Sequence, residues 1–375
     1  MMKIEAALLT RDDAPTPFAE SRPLQLVEVE LDEPGPGELR VRMRAAGLCH
    51  SDLSVMNGDR PRGLPLVLGH EAAGVVEAVG EGVARFAKGD HVVMVFVPSC
   101  GDCLPCQSGR PALCEPGAEA NAAGTLLRGD HRLHRDGEAL NHHLGVSCFA
   151  DQAVVSEKSC VKITKELPFE HAALFGCAVL TGMGAVINTA AMPAGSSAAV
   201  IGLGGVGLSA LLGAIASGAR EVVAVDTNPE RLEFARELGA SATLDSSDEE
   251  AVARFGHDHG GLEYVFEMAG VVPALQTAYA MTARGGTTVT AGLPHPDAEL
   301  SFKAVSLTTE ERTLKGAYIG TSVPRRDVPR YIALFQAGRL PVDRLMTHTL
   351  SLAEINEGFD RLAAGDAIRQ VVLFD

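Results

Sequence analysis

At 375 residues the chain is too long for one comfortable hydrophobic core, so two domains are expected. Hydrophobic content of 46% and charged content of 21% describe an ordinary globular protein, and 48 acidic against 32 basic residues give a net charge of −16. That balance repels nucleic-acid phosphates and anionic lipid, so neither nucleic acid nor membrane is an expected partner.

The N-terminal stretch MMKIEAALLTRDDAP has no long apolar run before its charges and does not read as a signal peptide. The most apolar later stretch, residues 198–216, is broken by five glycines and does not read as a membrane span. A cytoplasmic protein is expected. In that setting the eight cysteines are better read as metal ligands or thiols than as disulfides.

Taken in order, the first third is strand-like. LRVRMRAAG (39–47), AAGVVEAVG (72–80) and DHVVMVFV (90–97) are valine-rich and bounded by turn residues, predicting an antiparallel β domain with long loops. From about Pro193 strands and helices alternate. SAAVIG (197–202) reads as a buried strand, followed by a glycine turn and a helix through Ala216. EVVAVD (221–226) is a second strand. NPERLEFARELGA (228–240) is an amphipathic helix with Asn228 as N-cap, Pro229 at its first position and Gly239 at its end. EYVFEMAG, a helix from about Val272, GGTTVTAGL (285–293) and TLKGAY continue the pattern. Such alternation predicts a doubly wound parallel α/β sheet of Rossmann type. GGTTVTAGL is the candidate for sheet extension across a subunit boundary. VPRYIALFQAGRL then reads as a helix and AIRQVVLFD as a terminal strand returning to the β domain.

Gly202-Leu203-Gly204-Gly205-Val206-Gly207 is a GxGxxG with the right context, after a strand and opening a helix. Its first two glycines permit a tight turn and the approach of a pyrophosphate, and the third permits close helix–strand packing. Asp226 lies nineteen positions after Gly207, at the end of the next strand. Its carboxylate can accept hydrogen bonds from an adenosine ribose and would repel a 2′-phosphate, which favours NAD over NADP.

Cys100, Cys103, Cys106 and Cys114 fall within fifteen residues, close enough to wrap one tetrahedral ion. Zinc suits four thiolates and would be structural, since no position remains for substrate. An iron–sulfur cluster is the chemical rival, but the Cys-Pro partner of ferredoxin-like runs is missing. Cys49 in GLCHSD, His70 in LGHEAAG and Cys177 in FGCAVLTG are each unremarkable alone; together they would be a three-ligand set with an open fourth position.

GHEAAGVVEAVGEGV, the four-cysteine segment, GCAVLTG, GLGGVGL, VDTNPERLEFARELGA, INEGFDRL and AIRQVVLFD resemble segments of the zinc-containing medium-chain alcohol dehydrogenases, in family order and across essentially the whole chain. The resemblance implies a GroES-like, mainly-β catalytic domain over 1–178 and 321–375, with the structural zinc lobe at about 98–116. It places a Rossmann NAD-binding domain over 179–320. It also implies two zincs per chain, the catalytic one on Cys49, His70 and Cys177. Glu71 resembles a glutamate that approaches that metal, and Asp52 a partner orienting His70. Ser51 resembles the hydroxyl that meets the substrate oxygen and starts proton export. His50, Thr181, Arg231 and Arg369 resemble cofactor contacts, with Arg369 on the pyrophosphate and Arg231 beside the ribose. Phe96, Phe149 and Leu293 match positions lining an apolar substrate channel, which favours a primary alcohol or aldehyde with a hydrophobic or aromatic tail.

Two departures stand out. Ser54 occupies the position where many members carry the outer histidine of a proton relay. Ala118 stands where glutathione-dependent members carry an arginine. His131, His134, His142 and His143, between lobe and pocket, read as loop residues without a metal role. The expected assembly is a homodimer or homotetramer. Two other classes compete: a zinc-free reductase on the same fold, which would not need Cys49, His70 and Cys177, and a non-enzymatic zinc-ribbon binding protein, which would not explain the GxGxxG with Asp226.

Overall fold

A computed structural model describes residues 1–375, and the chain divides into two compact units. The first comprises Met1–Cys177, Val323–Arg330 and Asp343–Asp375; the second comprises Ala178–Ser322 and Tyr331–Val342.

In the first unit, alternating apolar residues close five strands into a barrel: Met2–Leu9, Leu24–Leu31, Leu133–Arg135, Glu138–His142 and Leu66–Val67. Ile4, Leu8, Val29, Leu31, Leu133 and Leu140 fill it. A second sheet runs in the order Cys160–Ile163, His91–Met94, Ala72–Val79, Glu38–Gly47, Arg369–Leu373 and Met346–Leu350, with Gln152–Ser156 also paired to Glu38–Gly47. The valine-rich segments of the first third pair antiparallel as their pattern predicts, but the C-terminal strands that complete the sheet do not pair that way with each other. Met346–Leu350 lies parallel to Arg369–Leu373 because the helix Ile355–Ala364 carries the chain across between them.

Phe149 belongs to the core packed against this sheet, fully buried and edge-on to Phe359 at 6.0 Å. Burying a phenylalanine completely stabilises the fold by about 1.5–3 kcal/mol. Its expected place in a substrate channel is therefore replaced by a packing role.

His142, read from sequence as a loop residue, ends a barrel strand and is almost fully buried. Its Nε2 accepts the Arg132 amide at 3.0 Å, so the ring is neutral with its proton on Nδ1. Burial lowers its pKa from 6.5 to about 3, helped by His131 and Arg132. Protonation thus favours the unfolded chain, and this share of stability is present above pH 6.5 and lost as pH falls towards 3. By pH 5 the loss from this one ring is about 2 kcal/mol. His142→Gln keeps an acceptor for Arg132 but does not titrate. Urea melts at pH 7.5 and pH 5 should therefore show a smaller acid loss in the variant; equal losses would remove His142 as the cause.

The second unit is built on a six-stranded parallel sheet. Numbered within this unit, its strands are β1 (Ser197–Ile201), β2 (Glu221–Asp226), β3 (Ala242–Asp245), β4 (Leu262–Glu267), β5 (Thr282–Thr290) and β6 (Thr313–Gly316). Their spatial order is β3-β2-β1-β4-β5-β6, the doubly wound order of dinucleotide-binding domains. Helices α1 (Gly205–Ala216), α2 (Pro229–Glu237), α3 (Glu249–His259) and α4 (Val272–Met281) link the first five strands. Asn228 caps α2, accepting from the amides of Glu230 and Arg231 at 2.8 and 3.2 Å. Gly239 follows at φ +108°, where a side chain would strain the helix exit.

Two expectations change here. β5, the core of GGTTVTAGL, lies between β4 and β6 and has no free edge; the sheet's edges are β3 and β6, and β6 is the one beside it. Residues 331–342 join the second unit rather than the first, because Tyr331 and Ile332 are buried there and the Tyr331 hydroxyl meets Asn188 at 3.5 Å. The helical stretch from Ala178 through Ala190 was not legible as a helix in the sequence, where glycines interrupt its pattern. No single helix is long and apolar enough to cross a membrane.

Candidate active site

In the first unit, Cys49 precedes the helix His50–Met56 and serves as its N-cap residue, and His70 lies just before the strand Ala72–Val79. Cys177 follows a short helical turn, Leu174–Gly176. The three ligand atoms lie within 4.8 Å of one another, and all three residues are buried. His70 Nδ1 is 3.1 Å from Asp52 Oδ1, which leaves Nε2 as the free ring atom; it is buried and has no hydrogen-bond partner. A buried nitrogen without a partner beside two sulfurs is a costly arrangement unless an ion occupies the space.

The electrostatics agree with that reading. The Cys177 thiol hydrogen-bonds Cys49, so Cys49 falls well below the usual thiol pKa and Cys177 rises well above it. Burial works against a charged His70, but Asp52 and Cys49 outweigh it and raise the ring to about 10. Burial likewise opposes a charged Asp52, yet His70 and His143 hold the carboxyl well below its usual range. Four buried groups thus trade charge in one place, the usual condition of a ligand set.

Gly69 sits at φ +89°, and a Cβ there would lie 2.6 Å from Cys148 Sγ and 2.8 Å from the Phe149 amide nitrogen. Only glycine fits, and its amide donates to Asp52 Oδ1 at 3.1 Å. The ring of Phe96 meets His70 edge-on at 5.3 Å, so this phenylalanine does border the cluster. Ser51 Oγ is 3.8 Å from Cys49 Sγ and half-buried. Beside it, His50 is exposed, and Ser54 is half-buried. Glu71 is fully buried and paired with the guanidinium of Arg369, itself only 5% exposed. Arg369, expected at a pyrophosphate, is therefore held by Glu71.

Cys100, Cys103, Cys106 and Cys114 form the second cluster, again within 4.8 Å of one another. The amides of Asp102 and Cys103 donate to Cys100 Sγ at 3.3 Å each, and those of Cys100 and Gly117 donate to Cys114 Sγ at 3.2 and 3.4 Å. Burial raises Cys100, but those amides outweigh it and hold the thiol at about 7; burial lifts Cys106 to about 12. Aiming amides at sulfur is how a loop prepares thiolates for a metal.

In the second unit, Gly202 has φ +87°, and a Cβ on Gly207 would lie 1.7 Å from the Gly202 carbonyl oxygen. A Cβ on Gly204 would meet nothing within 4 Å, although this residue opens α1. The space over Gly204 and the amides of Gly205 and Val206 is that of an anion cradle at a helix N-terminus. Asp226, nearly buried, accepts the Leu203 amide at 2.6 Å and the Asn228 amide at 2.9 Å. Each oxygen keeps a lone pair for another donor. Arg231 lies in the first turn of α2, and Thr181 is buried in the helix Ala178–Gly184. Leu293 is 54% exposed in the loop after β5.

Sequence reasoning missed His143. It is buried with Nε2 3.3 Å from Asp52 Oδ1, and its ring stands edge-on to His70 at 5.6 Å. No spacing signal links it to either residue.

A GroES-like β unit carrying a four-cysteine lobe, with a doubly wound parallel unit holding a GxGxxG turn, defines a zinc-binding dehydrogenase. The chain belongs to the zinc-containing medium-chain alcohol dehydrogenases: the family model for the alcohol dehydrogenase GroES-like domain matches residues 35–165, and that for zinc-binding dehydrogenase matches residues 205–337. Alcohol dehydrogenase class-3 of Drosophila melanogaster is 38% identical over 360 residues, covering 94% of this chain and 95% of that one. The S-(hydroxymethyl)glutathione dehydrogenase of Escherichia coli is 37% identical over 362 residues, 95% and 98% of the two chains. The crystal structure of benzyl alcohol dehydrogenase from Acinetobacter calcoaceticus superposes with a TM-score of 0.92 at 31% identity, covering 100% of each. The chain is accordingly an oxidoreductase acting on alcohols and aldehydes.

Proposed function

We propose that the protein interconverts primary alcohols bearing a hydrophobic or aromatic tail with their aldehydes, using NAD and two zincs per chain. The observation that carries this is the pairing of a closed four-cysteine set with an open three-residue set whose His70 Nε2 is buried without a partner. Both sets fit zinc in donor type and number. Cys100, Cys103, Cys106 and Cys114 would hold the structural ion, and Cys49, His70 and Cys177 the catalytic one.

When bound, the catalytic zinc supplies a Lewis acid for the substrate oxygen and the nicotinamide a hydride acceptor. The chain's residues do the rest. Asp52 fixes the His70 ring through Nδ1. Ser51, next to Cys49, takes the proton of the substrate hydroxyl and passes it outward; with Ser54 at the outer position, the exposed His50 or water receives it. Arg369 keeps the buried Glu71 neutralised beside the metal site. Phe96 gives the site an apolar wall.

Asp226 favours NAD by accepting the ribose hydroxyls and repelling a 2′-phosphate. Asp226→Ser should reduce the ratio of kcat/KM for NAD over NADP by at least about tenfold, since ~1.4 kcal/mol of charge repulsion suffices for that. An unchanged ratio would remove Asp226 from this role.

Ala118 argues against a glutathione-adduct substrate, although one relative is named for such an activity. NADH absorbance over primary, secondary, aromatic and thiol-adduct alcohols tests the substrate class: aromatic or long primary alcohols should give the highest kcat/KM, and a preference for the thiol adduct would overturn it. The chain is further expected to form a homodimer or homotetramer, with the open edge of β6 as the place for sheet extension.

A further inference from the structure

We infer that His143 is a positioning residue for the catalytic metal site, locking Asp52 so that Asp52 in turn locks His70. This rests on the reading that Cys49, His70 and Cys177 hold a metal.

Asp52 is fully buried, and its Oδ1 is the hub of a small network: the Gly69 amide at 3.1 Å, His70 Nδ1 at 3.1 Å and His143 Nε2 at 3.3 Å. Asp52 Oδ2 has no hydrogen-bond partner, so the carboxylate depends on Oδ1 for its orientation. The Gly69 amide and the His70 ring come from adjacent residues and approach from one segment. His143 comes from a different part of the chain and supplies the independent restraint. Its own place is fixed by a tight turn. The His143 amide donates to Ser147 Oγ at 2.8 Å, its carbonyl accepts the Val146 and Ser147 amides, and Leu144, Gly145 and Ser147 all have positive φ. Left-handed backbone at two non-glycine residues in one turn is costly and persists where surrounding structure demands it. Both ring nitrogens of His143 are buried, neither in a fully formed hydrogen bond, and Nε2 is the one with an acceptor in reach, Asp52 Oδ1 at 3.3 Å, so the one proton of a neutral ring is best used there. Asp52, His70 and His143 also bring three ligand atoms within 4.8 Å. The Gly69 amide on the shared oxygen marks the group as a hydrogen-bond hub rather than a metal site.

The test compares His143→Leu, His143→Gln and His143→Asn in the full-length, zinc-loaded protein. The readouts are zinc release to a chromophoric chelator and the visible spectrum after cobalt replaces the catalytic zinc. Removing the direct hydrogen-bond partner of a metal ligand, here Asp52, costs about 10–100-fold in metal affinity, and loosening that partner through His143 should reach the low end of this range. The Leu variant should lose one zinc at least about tenfold faster than wild type, keep the lobe zinc, and shift its cobalt spectrum. Gln places a donor near the Nε2 position and should restore both readouts; Asn places its donor near Nδ1 and should not. Should the Leu variant fail to fold, the Gln–Asn comparison decides, and equal zinc release by those two overturns the proposal. Wild-type release and spectrum in a folded Leu variant also overturn it, as does a third zinc in the wild type. If the wild type binds only the lobe zinc, the three-ligand reading itself has failed, and this proposal falls with it.

Discussion

Replacing Cys49 with serine is expected to abolish alcohol oxidation while leaving the fold intact. The geometry separates these two outcomes. Cys49 is the N-cap residue of the helix His50–Met56, with extended backbone at φ −135°, ψ 151°. Serine is among the best N-cap residues, so the helix loses nothing. The sulfur, by contrast, is the group that the Cys177 thiol and the His70 ring stabilise as a thiolate, and a serine hydroxyl stays protonated at neutral pH. We expect kcat/KM to fall by at least about 10³-fold, roughly 4 kcal/mol of transition-state stabilisation. Zinc content should fall from two per chain to one, because the four-cysteine lobe is untouched, and the melting temperature should fall only by the loss of that bound ion, with the transition still cooperative. Activity and metal analysis on one preparation check both. Full activity in Cys49→Ser would refute the catalytic ligand set.

The second large effect divides the glycine turn into a binding position and a packing position. Gly204→Val adds a side chain where no atom lies within 4 Å and where the backbone, at φ −72° and ψ −172°, accepts any residue. Stability should hardly change, but the added methyls fill the cradle at the N-terminus of α1, and KM for NAD should rise at least about 30-fold, ~2 kcal/mol. Gly207→Ala does the opposite. Its Cβ would fall 1.7 Å from the Gly202 carbonyl oxygen, so α1 must move off the β1 turn, at a cost of about 3 kcal/mol of stability. Thermal melts and cofactor titrations on both variants separate the two roles. A wild-type KM in Gly204→Val would mean that no pyrophosphate approaches this turn.

Legibility in the sequence followed the range of the interaction. Asn228, Pro229 and Gly239 define α2 from their own neighbourhood, because capping hydrogen bonds and left-handed exits are settled within a few residues. The four lobe cysteines are equally local. Phe149 misled because an aromatic residue looks the same in sequence whether it lines a channel or packs a core, and here it meets Phe359 from the far end of the chain. GGTTVTAGL has the composition of any strand; whether it is central or at an edge depends on β6 pairing beside it.

By itself, the sequence determined which groups the chain brings together at short range: four cysteines close enough to surround one ion, a glycine turn opening a helix, and an acidic residue at the end of the next strand. Each is written in short spacings, and short spacings fix local geometry. Tertiary structure alone decided which distant residues meet. It brought Cys49, His70 and Cys177 within 4.8 Å, turned Arg369 onto Glu71, and set His143 against Asp52. Those meetings follow from sheet register and from turns such as Gly69, where a backbone only glycine can adopt aims an amide at a buried carboxylate.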